Sequence, residues 1–146
     1  MNGQRNAYAQ LYTSDYSDPM KHIIKTKNAP APIGPYNQAI LVDNTLYTSG
    51  QIAMDPKTNK LKTANIQEET TQVMNNLAAV LDAANMDFTM VVKSSIFVSD
   101  MNHFDSINEV YSNYFEGDAA PARETVEVAR LPKDVNVEIS MIATGS

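Results

Sequence analysis

The sequence predicts an α+β fold, a mixed β-sheet with two helices packed on one face. Three observations predict it. Residues 66–84 and 102–115 carry apolar side chains at helical spacing. Short β-prone runs surround them, giving the order β-β-β-α-β-α-β-β. The chain has 146 residues, 43% of them hydrophobic and 19% charged, which suits one domain with a real core.

Each element has a local reason. Met20 to Ile24 reads as a first strand. Asn28 to Pro35 places three prolines and a glycine in eight residues, which forbids a helix. That segment is either a plain connector or a rigid arm beside a site. Residues 37–43 and 45–49 are β-prone and meet at a turn, Asp43-Asn44. Met54 to Thr63 reads as a loop. In the first helix Ile66, Val73, Leu77, Val80, Leu81 and Ala84 form the apolar stripe. Asn65 is placed to cap it, with Glu68 three residues on, and Asn85 is placed to end it. Val91 to Ser99 is a strand. The second helix carries Phe104, Ile107, Tyr111, Tyr114 and Phe115. Asp118 to Pro121 is a loop. Thr125 to Ala129 and Val135 to Ala143 are the last strands, parted by Leu131-Pro132-Lys133-Asp134.

Two helices cover one face of such a sheet. The last strand alternates Val137, Ile139 and Met141 with Glu138, Ser140 and Ile142, so its second face is mixed. That face predicts either a second copy packed on it or a monomer with one wet face.

Residues 1–19 are polar and lack the basic and apolar regions of a signal peptide. They are expected to be a leader or an added extension, with the domain spanning 20–146. No apolar run reaches the roughly 18–20 residues of a membrane span, so the cytoplasm is the expected location.

Composition narrows the chemistry. There is no Cys, and the only His are His22 and His103. Disulfides, thiol nucleophiles and thiolate metal sites are excluded. Neither His has ligand-spaced partners, so both read as structural and no metal is expected. The isolated glycines make no phosphate loop or dinucleotide fingerprint. The formal net charge of −6 argues against a broad nucleic-acid footprint.

The remaining candidates are few. Outside residues 1–19 the arginines are Arg123 and Arg130. Arg123, after Pro121-Ala122, sits at the mouth of a strand. It is either a fork for a small carboxylate or an ordinary surface arginine. Glu138, inside Val137-Glu138-Ile139, is either a partly buried acid-base group or a residue of a solvated face. Asn108, between Phe104 and Tyr111, either supports a site or caps a loop. Ser49-Gly50 ends a strand, as a turn or as a close approach to a ligand. Tyr36 offers a phenol or simply packs.

Taken together these segments resemble a known family. The segments are Ala31-Pro32-Ile33-Gly34-Pro35-Tyr36, Leu46-Tyr47-Thr48-Ser49-Gly50-Gln51-Ile52, Ile107-Asn108-Glu109-Val110-Tyr111, Pro121-Ala122-Arg123 and Val126 through Ile139. They are similar to the signatures of the Rid/YjgF family of reactive-intermediate (enamine/imine) deaminases, over about residues 20–144. The resemblance implies a chorismate-mutase-like fold and a homotrimer with sites between subunits. It implies hydrolysis of 2-iminobutanoate and 2-iminopropanoate to 2-oxo acids and ammonia, without a cofactor. It also implies a functional link to the pyridoxal-phosphate enzymes that release such imines.

Carried over by position, Arg123 matches the arginine that grips the substrate carboxylate, and Glu138 the glutamate that positions or activates water. Tyr36, Ser49, Gly50 and Asn108 match other pocket positions. Thr125 stands where many bacterial members carry Cys, Asn37 where Ser is common, and Asn85 where a helix-ending Gly is usual. Two other functions are carried beside the deaminase: a trimeric 2-oxo-acid-binding or regulatory protein without turnover, and a ribonuclease or translation inhibitor. The acidic charge disfavours the last.

Overall fold

The computed structural model describes residues 20–145. The expectation for residues 1–19 lies outside them. Six strands form one sheet: β1 (Lys21–Ile24), β2 (Ala39–Val42), β3 (Thr45–Thr48), β4 (Val91–Val98), β5 (Ala122–Glu127) and β6 (Val137–Thr144). The spatial order is β1-β2-β3-β6-β4-β5. Every pairing is antiparallel except β4 with β5, which is parallel. Helices α1 (Ile66–Ala83) and α2 (Phe104–Ser112) pack against one face. The α+β architecture expected from the pattern is the one found.

The core follows from alternation. Along β6, Val137, Ile139, Met141 and Ala143 are buried against Val73, Leu77, Val80 and Leu81 of α1 and Ile96 and Val98 of β4. The α1 ends behave as their residues require. The Asn65 side chain accepts from the Glu68 N–H at 2.8 Å, and Asn85 takes φ 57° just past the last turn. The hairpin closes at Asp43-Asn44, with Asp43 at φ 51° and Val42 paired to Thr45.

Three boundaries differ from the sequence expectation. β5 begins at Ala122 rather than Thr125, because parallel pairing with β4 starts at Lys93↔Ala122. Arg123 is therefore inside an edge strand, not at its mouth. The second helix is shorter: a 3₁₀ turn at Met101–His103 precedes it, and Tyr114 and Phe115 lie beyond its end. Both aromatics still pack, since each meets the Phe88 ring edge-on. β6 begins at Val137 because Pro132–Asp134 forms a 3₁₀ turn.

Three buried polar side chains brace irregular segments of the chain. Glu69 in α1 accepts from the Asn136 N–H (2.7 Å), the Val137 N–H (3.0 Å) and the Asn136 amide (2.8 Å). Asn76, two turns on, donates to the carbonyls of Ile52 and Met54. Gln38 donates to the carbonyls of Thr26, Ala29 and Pro30 and accepts from the Thr26 N–H. Buried polar groups of this kind need such partners, and here the partners are irregular backbone that would otherwise be orphaned.

The face away from the helices is partly apolar. Register places Ile23, Ile40, Tyr47, Ile142, Phe97 and Val126 on it in neighbouring strands. Ile23, Tyr47 and Val126 are each more than two-fifths exposed. No helix among the described residues is long and apolar enough to cross a membrane.

Candidate functional site

The candidate residues fall into two groups. The first surrounds Glu138. A cavity of about 320 Å³ is lined by Ile33, Tyr36, Ser49, Gly50, Ile52, Pro132 and Glu138. Four of the seven positions singled out from sequence thus meet in one place.

A change of register builds this cavity. Tyr47 pairs with Ile142, and pairing resumes at Gln51 with Ile139. Four positions along one strand oppose three along the other, so the β3 side carries one extra residue, a bulge. The Met141 N–H turns to the Thr48 hydroxyl at 2.9 Å. Gln51 and Ile139 exchange both backbone bonds, at 2.8 and 3.1 Å. Gly50 lies between the Thr48 and Gln51 attachments, beside Glu138. A Cβ on Gly50 would lie 2.7 Å from the Glu138 carboxyl carbon, closer than real Cβ contacts come. Glycine is there for space, since its φ is not left-handed.

Glu138 is half-buried, and burial pushes its carboxyl above the usual carboxylate range. Ser49 turns its hydroxyl away to the Asn37 carbonyl at 2.5 Å, and its N–H bonds the Gln38 carbonyl. Tyr36 is held by the proline arm: its hydroxyl accepts from the Ile33 N–H at 3.2 Å. Gln38 in turn fixes that arm. Residues 28–35 connect β1 to β2, as the connector reading has it, and also border the cavity through Ile33.

The second group surrounds Arg123. Its guanidinium carbon lies 5.1 Å from the centre of the Tyr111 ring and 5.6 Å from that of Phe104. Asn108 falls between those two on the same helix face, at positions 104, 108 and 111. Thr125 follows Arg123 by two on β5, so both side chains leave the same face. The Thr125 hydroxyl oxygen is buried without a hydrogen-bond partner among the described residues. No carboxylate of the described residues lies within ion-pair distance of Arg123.

These groups are not joined within one chain. Arg123 pairs with Ser94, and Ser94 with Met141, all on the helix-packed face. Glu138 pairs with Phe97 on the opposite face. The two candidate catalytic groups therefore stand on opposite sides of the sheet. Arg123 sits on the edge strand β5, beyond which no strand follows among the described residues.

His22 lies exposed on edge strand β1, and His103 in the turn before α2. Among the described residues no cluster of three or more His, Asp or Glu is placed to hold a metal ion. Gln38, Glu69 and Asn76 are not among the residues that the sequence singles out. The signal was present for two of them: Glu69 and Asn76 fall within the Ile66–Val80 apolar stripe, where a polar residue demands partners.

The chain matches a family model described as Endoribonuclease L-PSP over residues 26–145. It is 50% identical over 124 residues to a RutC family protein of Pyrococcus horikoshii, covering 85% of this chain and 98% of that one. It is 47% identical over 124 residues to the 2-iminobutanoate/2-iminopropanoate deaminase of Rattus norvegicus, covering 85% and 90%. A Rid-family protein of unknown function from Yersinia pestis superposes with a TM-score of 0.84 at 45% identity, covering 86% of this chain and 100% of that one. With the sheet order, the bulge at Gly50 and these matches in place, the chain belongs to the Rid/YjgF family, whose domain model carries the L-PSP description.

Proposed function

We propose that this chain hydrolyses 2-imino acids such as 2-iminobutanoate and 2-iminopropanoate to 2-oxo acids and ammonia. The site is formed where the Glu138 cavity of one copy meets the Arg123 edge of another, in a homotrimer. The observation that carries this reading is the split itself. Among the described residues one chain holds a carboxyl in a cavity lined by no cation, and a guanidinium with no carboxylate at ion-pair distance. The partly apolar outer sheet face supports association of copies. The name of the rat relative supports the reaction.

The chemistry suits these groups. Arg123 clamps the substrate carboxylate in a fork and fixes C2 next to it. Asn108 and the Thr125 hydroxyl add hydrogen bonds on the same side. Water attacks C2: a C–O bond forms as the C=N π bond opens onto nitrogen. Glu138 takes a proton from that water and passes one to the nitrogen, and its raised pKa suits both directions of transfer. In the carbinolamine so formed, Glu138 takes the hydroxyl proton and passes a second proton to the amine; the C–N bond then breaks as C=O forms, and ammonia leaves. Tyr36 and Ser49 shape the wall, and Gly50 lets the carboxyl sit close. The step adds water to a polarised C=N bond, so no redox group or electron sink is needed. Its substrates are the imines that pyridoxal-phosphate enzymes release.

A coupled assay with threonine dehydratase or an amino-acid oxidase tests this. Wild-type chain is expected to accelerate oxo-acid formation, and Arg123→Ala to abolish the acceleration. Wild-type rates in Arg123→Ala would overturn the assignment. A second reading is 2-oxo-acid binding without turnover. Calorimetric binding of 2-oxobutanoate with no deaminase activity would select it. The L-PSP description raises RNA cleavage. A site variant that removed RNA cleavage from highly purified protein would establish that activity instead.

A further inference from the structure

The Arg123 guanidinium lies at an edge strand with long, soft torsions, yet it is not collapsed onto an acid. The two carboxylates of its own strand are occupied elsewhere. Glu124 points to the other face, where it meets Lys93 at 3.2 Å and accepts from the Ser95 hydroxyl. Glu127 accepts from the Met101 N–H at 2.9 Å. What touches Arg123 instead is a pair of rings from α2, Tyr111 and Phe104.

Of the two rings, Tyr111 is anchored. It is 6% exposed, and its hydroxyl donates to the buried Ser94 hydroxyl oxygen at 2.8 Å. Ser94 is the residue opposite Arg123 in the parallel β4–β5 register. The chain thus closes a small circuit: Arg123 on β5, Ser94 beside it on β4, and Tyr111 bonded to one and stacked on the other. We propose that Tyr111, tethered to Ser94, is a positioning residue that fixes the Arg123 guanidinium while leaving its N–H donors free for a small carboxylate. A ring face attracts the cation without consuming a donor, which no carboxylate partner would do. Burial pushes the Tyr111 phenol above its usual range, against smaller opposing effects of the Ser94 bond and the Arg123 charge, so the hydroxyl stays a donor.

This inference rests on the carboxylate-binding role given to Arg123 above, and two measurements separate them. The first is NMR of the Arg123 Nε–Hε group in the full chain. In the wild type the proton is expected upfield, under the rings, with restrained motion; in Tyr111→Leu, where only the Phe104 ring remains, it is expected to move downfield with clearly freer motion. The second is the deaminase assay, where Tyr111→Leu is expected to raise KM about tenfold with kcat nearly unchanged, the mark of lost uniform binding. A guanidinium equally restrained in both proteins overturns the proposal, and so does an unchanged KM. A wild type inactive on every imine, with Arg123 freed in Tyr111→Leu, supports the tether and overturns the deaminase reading. Should Tyr111→Leu not fold, Tyr111→Phe and Ser94→Ala each remove only the hydroxyl bond. Both are expected to loosen the guanidinium and raise KM about threefold; no change in either overturns the proposal.

Discussion

Gly50 and Glu138 share one space: the Glu138 carboxyl carbon sits where a Cβ on Gly50 would be only 2.7 Å away. Gly50→Ala is therefore expected to push the carboxyl out of its place in the cavity. The backbone there tolerates alanine, since Gly50 is not in the left-handed region. The side chain of Glu138 has open cavity to turn into, so stability should fall by less than the ~1–3 kcal/mol of an overpacked core. Activity should fall by about a hundredfold, as for a group displaced by about 1 Å. Thermal unfolding and the coupled assay on the same preparation check both halves.

Burial holds the Glu138 carboxyl above its ordinary pKa, so folding favours the protonated form. The sign follows from linkage. Protonated Glu138 contributes fully below the unfolded carboxylate pKa, and that contribution is lost as pH rises through the higher folded value. Glu138→Gln, which cannot ionise, is expected to gain stability relative to wild type between about pH 4 and pH 7. It should also lose about 10²- to 10⁴-fold in kcat through removal of the proton carrier. Melting temperatures of both proteins across that range check the first expectation. A constant difference would mean that Glu138 titrates alike in the folded and unfolded chain.

Among the described residues Glu69 has no ion-pair partner and accepts from three donors at the entry to β6, two on Asn136 and one on Val137. In Glu69→Gln an amide NH₂ would face one of those N–H groups and leave it unpaired. The expected loss is about 1–3 kcal/mol, read as a lower urea midpoint at unchanged slope. Since Asn136 and Val137 immediately precede Glu138, KM and kcat should both worsen.

The fold was legible where period and caps agreed. Asn65, the Ile66–Ala84 stripe and Asn85 marked α1 to within a residue, and alternation marked β6. The start of β5 was not legible, because Ala122-Arg123-Glu124 has no β-prone pattern of its own and becomes a strand through parallel pairing with β4. At the site, Arg123 and Glu138 stood out by scarcity and by context. Their separation onto opposite faces was half legible: alternation gave Glu138 its face, but Arg123's face depended on where β5 began. Gln38 and Ser94 left no local trace, since what they do is decided by long-range partners, the proline arm for one and Tyr111 for the other.

The central claim is that each site takes Glu138 from one chain and Arg123 from another. Mixing tests it directly. Arg123→Ala and Glu138→Gln proteins, each inactive alone, are denatured together in equal amounts and refolded, and deaminase activity is measured. If sites form between copies in a trimer, the refolded mixture as a whole should regain about one quarter of wild-type activity, because each mixed trimer holds one intact site in three and about three quarters of the trimers are mixed. Refolded mixtures whose mass confirms mixed oligomers, but whose activity stays at the level of the single variants, would contradict it.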